Sequence, residues 1–353
     1  MEALHALCEN SRLNNAREGG GAKDRAMTWI TARRQLEKLA VLGVCAVAGA
    51  SAMALLARAS WFADLFSHFR LQYVLASLVL APMCLLLRRP RLALVALALA
   101  APNLWYVAPY VVPVLVPASV AQPAGRDVAV ISINLHYKSR HYPEVRDYLQ
   151  ASKADVLVLS ELTPEWVAEL RPVTVAYPYW MSLDRRTPWG LGVFSRYPLL
   201  NARASDLGVR GSVNVVATVA LPGGNVQLVA VHLASPAGPE RAAMRNRQLA
   251  NLAALLGPPT ATGNGARTPR LLVGDMNLSP FSPYFTDFLA QTGLEDARRI
   301  HGLHGTWPTW MLPLQIAIDH CIADPSLDVT RVARGPAIGS DHYPLEVTLR
   351  QHG

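Results

Sequence analysis

The chain has 353 residues, 51% hydrophobic and 16% charged, with a formal net charge of +8. Residues 1–91 hold 12 Lys+Arg against 6 Asp+Glu and residues 92–353 hold 21 against 19, so the basic excess is no argument for a nucleic-acid-binding face on the larger part. Of Cys8, Cys45, Cys84 and Cys321 only the last falls beyond residue 92, which excludes a disulfide framework and a Cys-rich metal cage there.

Residues 1–26 are polar, contain Gly19-Gly20-Gly21 and lack periodicity, so disorder is expected within a cytoplasmic tail spanning 1–38. Met27 is an alternative start. Three runs without any charged residue follow, at 39–57, 71–87 and 92–112, and together they read as a three-helix membrane anchor, 39–116. Trp105, Tyr106 and Tyr110 near the end of the third have the character of an interfacial aromatic belt. Arg33, Arg34 and Lys38 precede the first run, and Arg88, Arg89 and Arg91 separate the second from the third. By the positive-inside rule these segments face the cytoplasm, and three crossings deliver the remainder to the periplasmic side of an inner membrane. Losing the short second span would reverse that side. Residues 117–127 are a Pro/Ala/Gly linker.

The domain proper, 128–353, is long enough for a substantial α/β core. Strand patterns occupy 128–133 and 155–159, with a helix at 143–151 between them. Thr163-Pro164 opens a helix with an N-cap and a first-turn proline. Further strands fall at 179–183 and 191–195, then come hairpin arms at 213–221 and 226–231 joined across Gly223-Gly224. A helix over 239–256 aligns Met244, Leu249, Leu252 and Leu255 in one apolar stripe. The buried-strand pattern of RLLVGDMNLSP, 270–280, stops at Gly274; Ser282-Pro283 starts another helix, and 316–323 and 345–349 finish as strands. The order strand–Asn134, helix, strand–Glu161 is echoed by strand–His232, helix, strand–Asp275, in layout and not in residue identity.

Apolar strands thus end in polar groups at Asn134, Glu161, His232, Asp275 with Asn277, Asp319 with His320, and Asp341 with His342. Each has an ordinary alternative as a turn former, a strand end or a core histidine. Their shared placement at strand ends, where a rigid sheet holds groups that a loop leaves open, points to chemistry. A carboxylate–amide pair two residues apart binds a hard cation or orients a water, and an imidazole beside a buried carboxylate stays charged at neutral pH. Ser195 lacks the glycines of a nucleophile elbow, so direct attack by water is expected without a covalent intermediate.

The segments SINLH (132–136), LVLSEL (157–162), VAVHL (229–233), VGDMN (273–277), IDH (318–320) and GSDHYP (339–344) resemble, in that order, the endonuclease/exonuclease/phosphatase superfamily of DNase I-like enzymes, specifically a bacterial membrane-attached branch. The resemblance implies a four-layer α/β/β/α sandwich, here preceded by three transmembrane helices. It implies a Mg2+ ion, with Mn2+ as alternative, on Glu161 supported by Asn134 and Asp341. It makes Asp275 the group that orients or deprotonates water, Asn277 and His232 hydrogen-bonding groups at the phosphate, and His342 a phosphate contact held by Asp319. Trp307, Arg185 and Arg186 are candidate substrate contacts. The expected activity is metal-dependent hydrolysis of phosphodiesters, in nucleic acid or in phospholipid headgroups, by a membrane-anchored enzyme. The lipid bilayer is a partner, and no protein partner is expected. The rival expectation is a catalytically silent binding domain on the same anchor.

Overall fold

In a computed structural model, the backbone is described for residues 2–115, 126–258 and 268–351, with side chains for 27–112, 126–258 and 268–350. The tail 1–26 therefore lies outside the described side chains, although its backbone continues the first helix, and the linker is outside the described residues up to 125. The chain divides into two compact units: 1–51 with 73–103, and 52–72 with 104–353.

Helix α1 (Glu2–Leu55) leads to the short α2 (Trp61–Ser67), then α3 (Arg70–Leu86) and α4 (Pro90–Leu115). Within the first unit, small residues let the helices approach closely: Ala40, Val44, Ala81, Cys84, Ala93 and Ala96 form one buried cluster. Asn103 Nδ2 donates to Ser51 Oγ at 2.9 Å, and Arg89 pairs with Glu37 at 2.8 Å. The outer faces carry Leu86, Leu94 and Val79 largely exposed. Two helices, Met27–Leu55 and Pro90–Val112, are long and apolar enough to cross a membrane. The expected span at 71–87 is less simple. Helix α3 has only 17 residues and reaches spanning length only together with α2, from which it is bent by 57°.

The second unit carries two six-stranded mixed sheets. β1 (Arg126–Asn134), α5 (Tyr142–Ser152), β2 (Val156–Ser160), α6 (Pro164–Thr174), β3 (Tyr179–Leu183) and β4 (Leu191–Ser195) build most of the first. β5 (Leu199–Ser205), β6 (Asn214–Leu221), β7 (Gly224–His232), α7 (Pro239–Leu256), β8 (Arg270–Asp275), α8 (Pro283–Thr292), β9 (Glu295–Asp296), α9 (Arg298–His301) and β10 (Asp319–Ala323) build the second. β11 (Asp328–Arg334) and β12 (Leu345–Gln351) return to the first. The strand orders are β11-β12-β1-β2-β4-β3 and β5-β6-β7-β8-β10-β9. Alternate side chains of the central strands point inward and form a shared core that includes Val158, Val193, Ala230 and Val273. Opposite side chains pack outward, Ile133, Leu157 and Leu159 under α5 and α6, Val229 and Leu272 under α7 and α8. The layers are therefore helix, sheet, sheet, helix, as expected.

The echo in the sequence has a structural counterpart. Each sheet centres on one parallel β-α-β pair, β1-α5-β2 and β7-α7-β8. Thr163 caps α6 by accepting from the Trp166 amide at 3.3 Å. The stripe expected on α7 needs correction: Leu249 and Leu252 are buried, but Met244 is 37% exposed. The inward face instead continues through Ala242, Arg245 and Gln248. Polar residues occupy it because Arg245 has a buried partner: Asp64 accepts from its Nη2 at 2.7 Å, with the two side chains 0% and 1% exposed.

Candidate active site

Strand register brings three predicted residues side by side. His232 pairs with Asp275 across β7–β8, and Asp275 pairs with Asp319 across β8–β10. On the other sheet Asn134 pairs with Ser160, so Glu161 follows one residue later at the same edge. Gly274 makes the β7–β8 approach feasible: its φ is +140°, and a Cβ there would lie 2.0 Å from the Val231 carbonyl oxygen. The backbone then turns left-handed at Glu161 (φ +56°), Asn277 (φ +49°) and His136 (φ +55°). Such conformations cost roughly 1–3 kcal/mol each and persist where surrounding bonds hold them. Here the Tyr137 amide donates to Glu161 Oε2 at 2.9 Å, and the Asn277 amide to Asp275 Oδ1 at 2.8 Å.

Asp275 is the hub. Its Oδ2 accepts from Asn134 Nδ2 at 3.0 Å and lies 3.6 Å from His232 Nε2 and 3.8 Å from His342 Nε2. His342 Nδ1 donates to Asp319 Oδ2 at 2.9 Å, and Thr306 Oγ1 accepts from the Asp319 amide. Burial and then the like charge of Asp319 raise the Asp275 carboxyl to about 6. Burial pulls the imidazolium of His342 down, but the Asp319 and Asp275 carboxylates outweigh it and lift the group to about 10. Asp319 is itself held low by His342, against its own burial. The two carboxylates thus favour the charged form of His342, with Nδ1 bonded to Asp319 and Nε2 facing Asp275.

Asn134, His232, Asp275 and His342 floor a cavity of about 500 Å³ that Glu161, Asn277 and Asp341 also line. Asp341 Oδ2 accepts from Trp307 Nε1 at 3.2 Å, and Trp307 lines the rim with its ring centroid 6.5 Å from that of His342. Asn277 Nδ2 donates to the Leu233 carbonyl at 2.9 Å. Arg185 and Arg186 are not among the cavity residues. Both are exposed, and Arg186 pairs with Glu165 at 2.7 Å. Sequence reasoning missed Arg241, which lines the cavity and stacks over Trp189 at 5.4 Å. It also gave no role to His136, whose Nδ1 is 3.5 Å from Asp341 Oδ1. His136 was within reach, two residues after Asn134 in the same segment.

Two groupings bear on a metal. Ligand atoms of Asp275, Asp319 and His342 lie within 4.8 Å of one another, but His342 Nδ1 is already bonded to Asp319. Glu161 keeps 15% of its side chain exposed and lines the same cavity as Asp341; carboxylate oxygens are the donor type that a hard divalent cation takes. Asn134 turns Nδ2 toward Glu161 Oε1 at 3.2 Å, while its Oδ1 accepts from the His136 amide at 3.0 Å. In this arrangement it orients Glu161 and Asp275.

Two stacked mixed sheets with acids and imidazoles converging at their central strand ends define a DNase I-like α/β sandwich. The chain belongs to the Endonuclease/Exonuclease/phosphatase family, whose profile matches residues 131–342. No curated protein matches it by sequence. Among solved structures, D. rerio TDP2 complexed with single-strand DNA product superposes with a TM-score of 0.52 at 18% identity, covering 63% of this chain and 98% of that one. The endonuclease/exonuclease/phosphatase from Beutenbergia cavernae gives 0.50 at 22% identity, covering 65% and 72%. A functionally unknown conserved protein from Enterococcus faecalis gives 0.51 at 16%, covering 64% and 100%. At these identities the likeness is one of fold.

Proposed function

We propose that the protein is a membrane-anchored, divalent-metal-dependent phosphodiesterase whose catalytic unit faces away from the cytoplasm. The observation that carries this reading is the Asp319–His342–Asp275 line, flanked by His232 and Glu161, opening into one cavity. Glu161 and Asp341 on the same cavity would hold the cation, with Asn134 orienting Glu161. When bound, Mg2+ or Mn2+ supplies Lewis-acid neutralisation of the phosphate charge. The remaining work belongs to the chain's own residues. Asp275, with a carboxyl near pH 6, orients an attacking water and takes its proton. The charged His342, fixed by Asp319, donates to a phosphate oxygen where negative charge grows. His232 and Asn277 provide further hydrogen bonds, and no side chain forms a covalent intermediate.

The test is hydrolysis of bis(p-nitrophenyl) phosphate by the full-length protein in nanodiscs. Activity with Mg2+, its loss with EDTA and its recovery on adding back Mg2+ are expected. Asp275→Asn and His342→Ala should each lower kcat by about 10²–10⁴-fold, the range for removing an acid or base. Wild-type rates in both variants would overturn these roles.

A further inference from the structure

The cavity has a wall that the family sandwich does not supply. It comes from residues 61–69, between the first apolar helix and α3: Leu65, His68 and Phe69 line the same cavity as Asp275 and His342. The segment is fastened in place. Besides the buried Arg245 pair, Asp64 accepts from Ser282 Oγ at 2.7 Å, and His68 Nδ1 accepts from the Ser279 amide at 3.2 Å. At its far end Gln72 Nε2 donates to the Gln315 carbonyl at 2.7 Å. Leu65 and Phe69 are half-buried, which leaves part of each side chain for the cavity. Ile316 and Ile318 add apolar surface to the same lining.

We propose that this built-in wall receives a hydrocarbon arm of the substrate, so that the enzyme's substrate class is an amphiphilic phosphodiester. The inference rests on the phosphodiesterase reading above and narrows it. Three observations select the occupant. The cavity joins a charged floor to an apolar side, matching a molecule with a phosphate next to an alkyl chain. Arg241 is the one Lys or Arg among the described lining residues, whereas a polynucleotide backbone calls for a basic track. Phe69 directly precedes α3, so the wall is covalently continuous with a helix apolar enough for lipid.

The probes are p-nitrophenyl alkyl phosphates from methyl to octyl, with thymidine 5′-(p-nitrophenyl phosphate) as the nucleotide arm. Water oxygen bonds to phosphorus, its proton passes to Asp275, and the P–O bond to p-nitrophenolate breaks, leaving the alkyl phosphate. In the full chain in nanodiscs, kcat/KM should rise roughly twofold to fourfold per buried methylene. Leu65→Ser and Phe69→Ser, which leave the Asp64–Arg245 pair intact, should flatten that slope; the slope is the readout, not the absolute rate. A flat wild-type slope, a slope surviving both substitutions, or a thymidyl ester that outruns the octyl ester and depends on Phe69 would overturn the proposal. Binding of n-alkyl phosphates, followed by tryptophan fluorescence, runs in parallel. If no ester is cleaved but binding tightens with chain length and loses this in Phe69→Ser, the wall stands and the enzyme reading falls. Binding indifferent to chain length overturns the wall.

Discussion

His320 follows Asp319 in one segment, yet the two have different fates. Asp319 turns to His342, while His320 is wholly buried against Phe285, with Nε2 donating to the Leu278 carbonyl at 2.6 Å and Arg298 bonding its Nδ1. Burial, then the Arg298 charge, pushes the imidazole well below its ordinary value. The folded state therefore keeps His320 neutral while the unfolded chain takes up a proton below about pH 6.5. Its contribution to stability is complete above that pH and is lost as pH falls toward the depressed folded value. His342 and Asp275, whose folded values are raised, act in the opposite sense over the same range, so the readout is a difference. Between pH 7 and pH 5 the melting temperature of the wild type should fall relative to that of His320→Gln, and parallel curves would remove His320 as a cause. Single residues explain much of what the sequence disclosed about the site. Asn134, Glu161, His232, Asp275, Asn277, Asp319, Asp341 and His342 were recognisable because each ends an apolar run or opens its turn. Arg241 was not, because a cation in the first turn of an ordinary helix carries no local mark of what it faces.

At the level of elements, the two central β-α-β pairs were legible because fully buried strands leave unbroken apolar runs, as in 156–159 and 271–273. β5 and β11 were not, since they pair at sheet edges with patterns that mix Asn, Arg and Ser (β5) or Asp, Thr and Arg (β11) into partly exposed positions. The α7 stripe misled for a related reason: amphipathic spacing assumes that the inward face is apolar, and Arg245 with Gln248 breaks that assumption. The most demanding junction is β7 with β8. Gly274→Ala would force a methyl group against the Val231 carbonyl at a backbone angle that only glycine adopts freely. We expect it to destabilise the protein by roughly 3 kcal/mol or more, visible as a large fall in melting temperature or in folded yield. A variant as stable as wild type would mean that the strands can separate without harm.

For the whole molecule, the side of the membrane depends on how α2 and α3 are counted. α1 and α4 each suffice alone, and the bent α2–α3 pair provides a third crossing only as one broken span. Three crossings, with the Arg-rich ends in the cytoplasm, would carry the sandwich outside, as proposed above. Alkaline phosphatase fused after Gly353 should then be active in cells and a green fluorescent protein fusion dark; the reverse pattern would place the catalytic unit in the cytoplasm. Neither hydropathy nor motif order disclosed that residues 52–72 fold with the catalytic unit. Asp64 was visible only as a lone acid between two apolar runs.

That lone acid has a consequence for how the protein can be divided. Severing the chain between α4 and β1 would separate Asp64 from Arg245, and stripping one partner from a buried pair costs about 3–5 kcal/mol. A soluble form shed by proteolysis would inherit an orphaned guanidinium and a breached cleft. On the proposed reading, the stretch that leads out of the first apolar helix would be a piece of the catalyst as well as part of its tether, and activity would be confined to wherever the whole polypeptide is inserted.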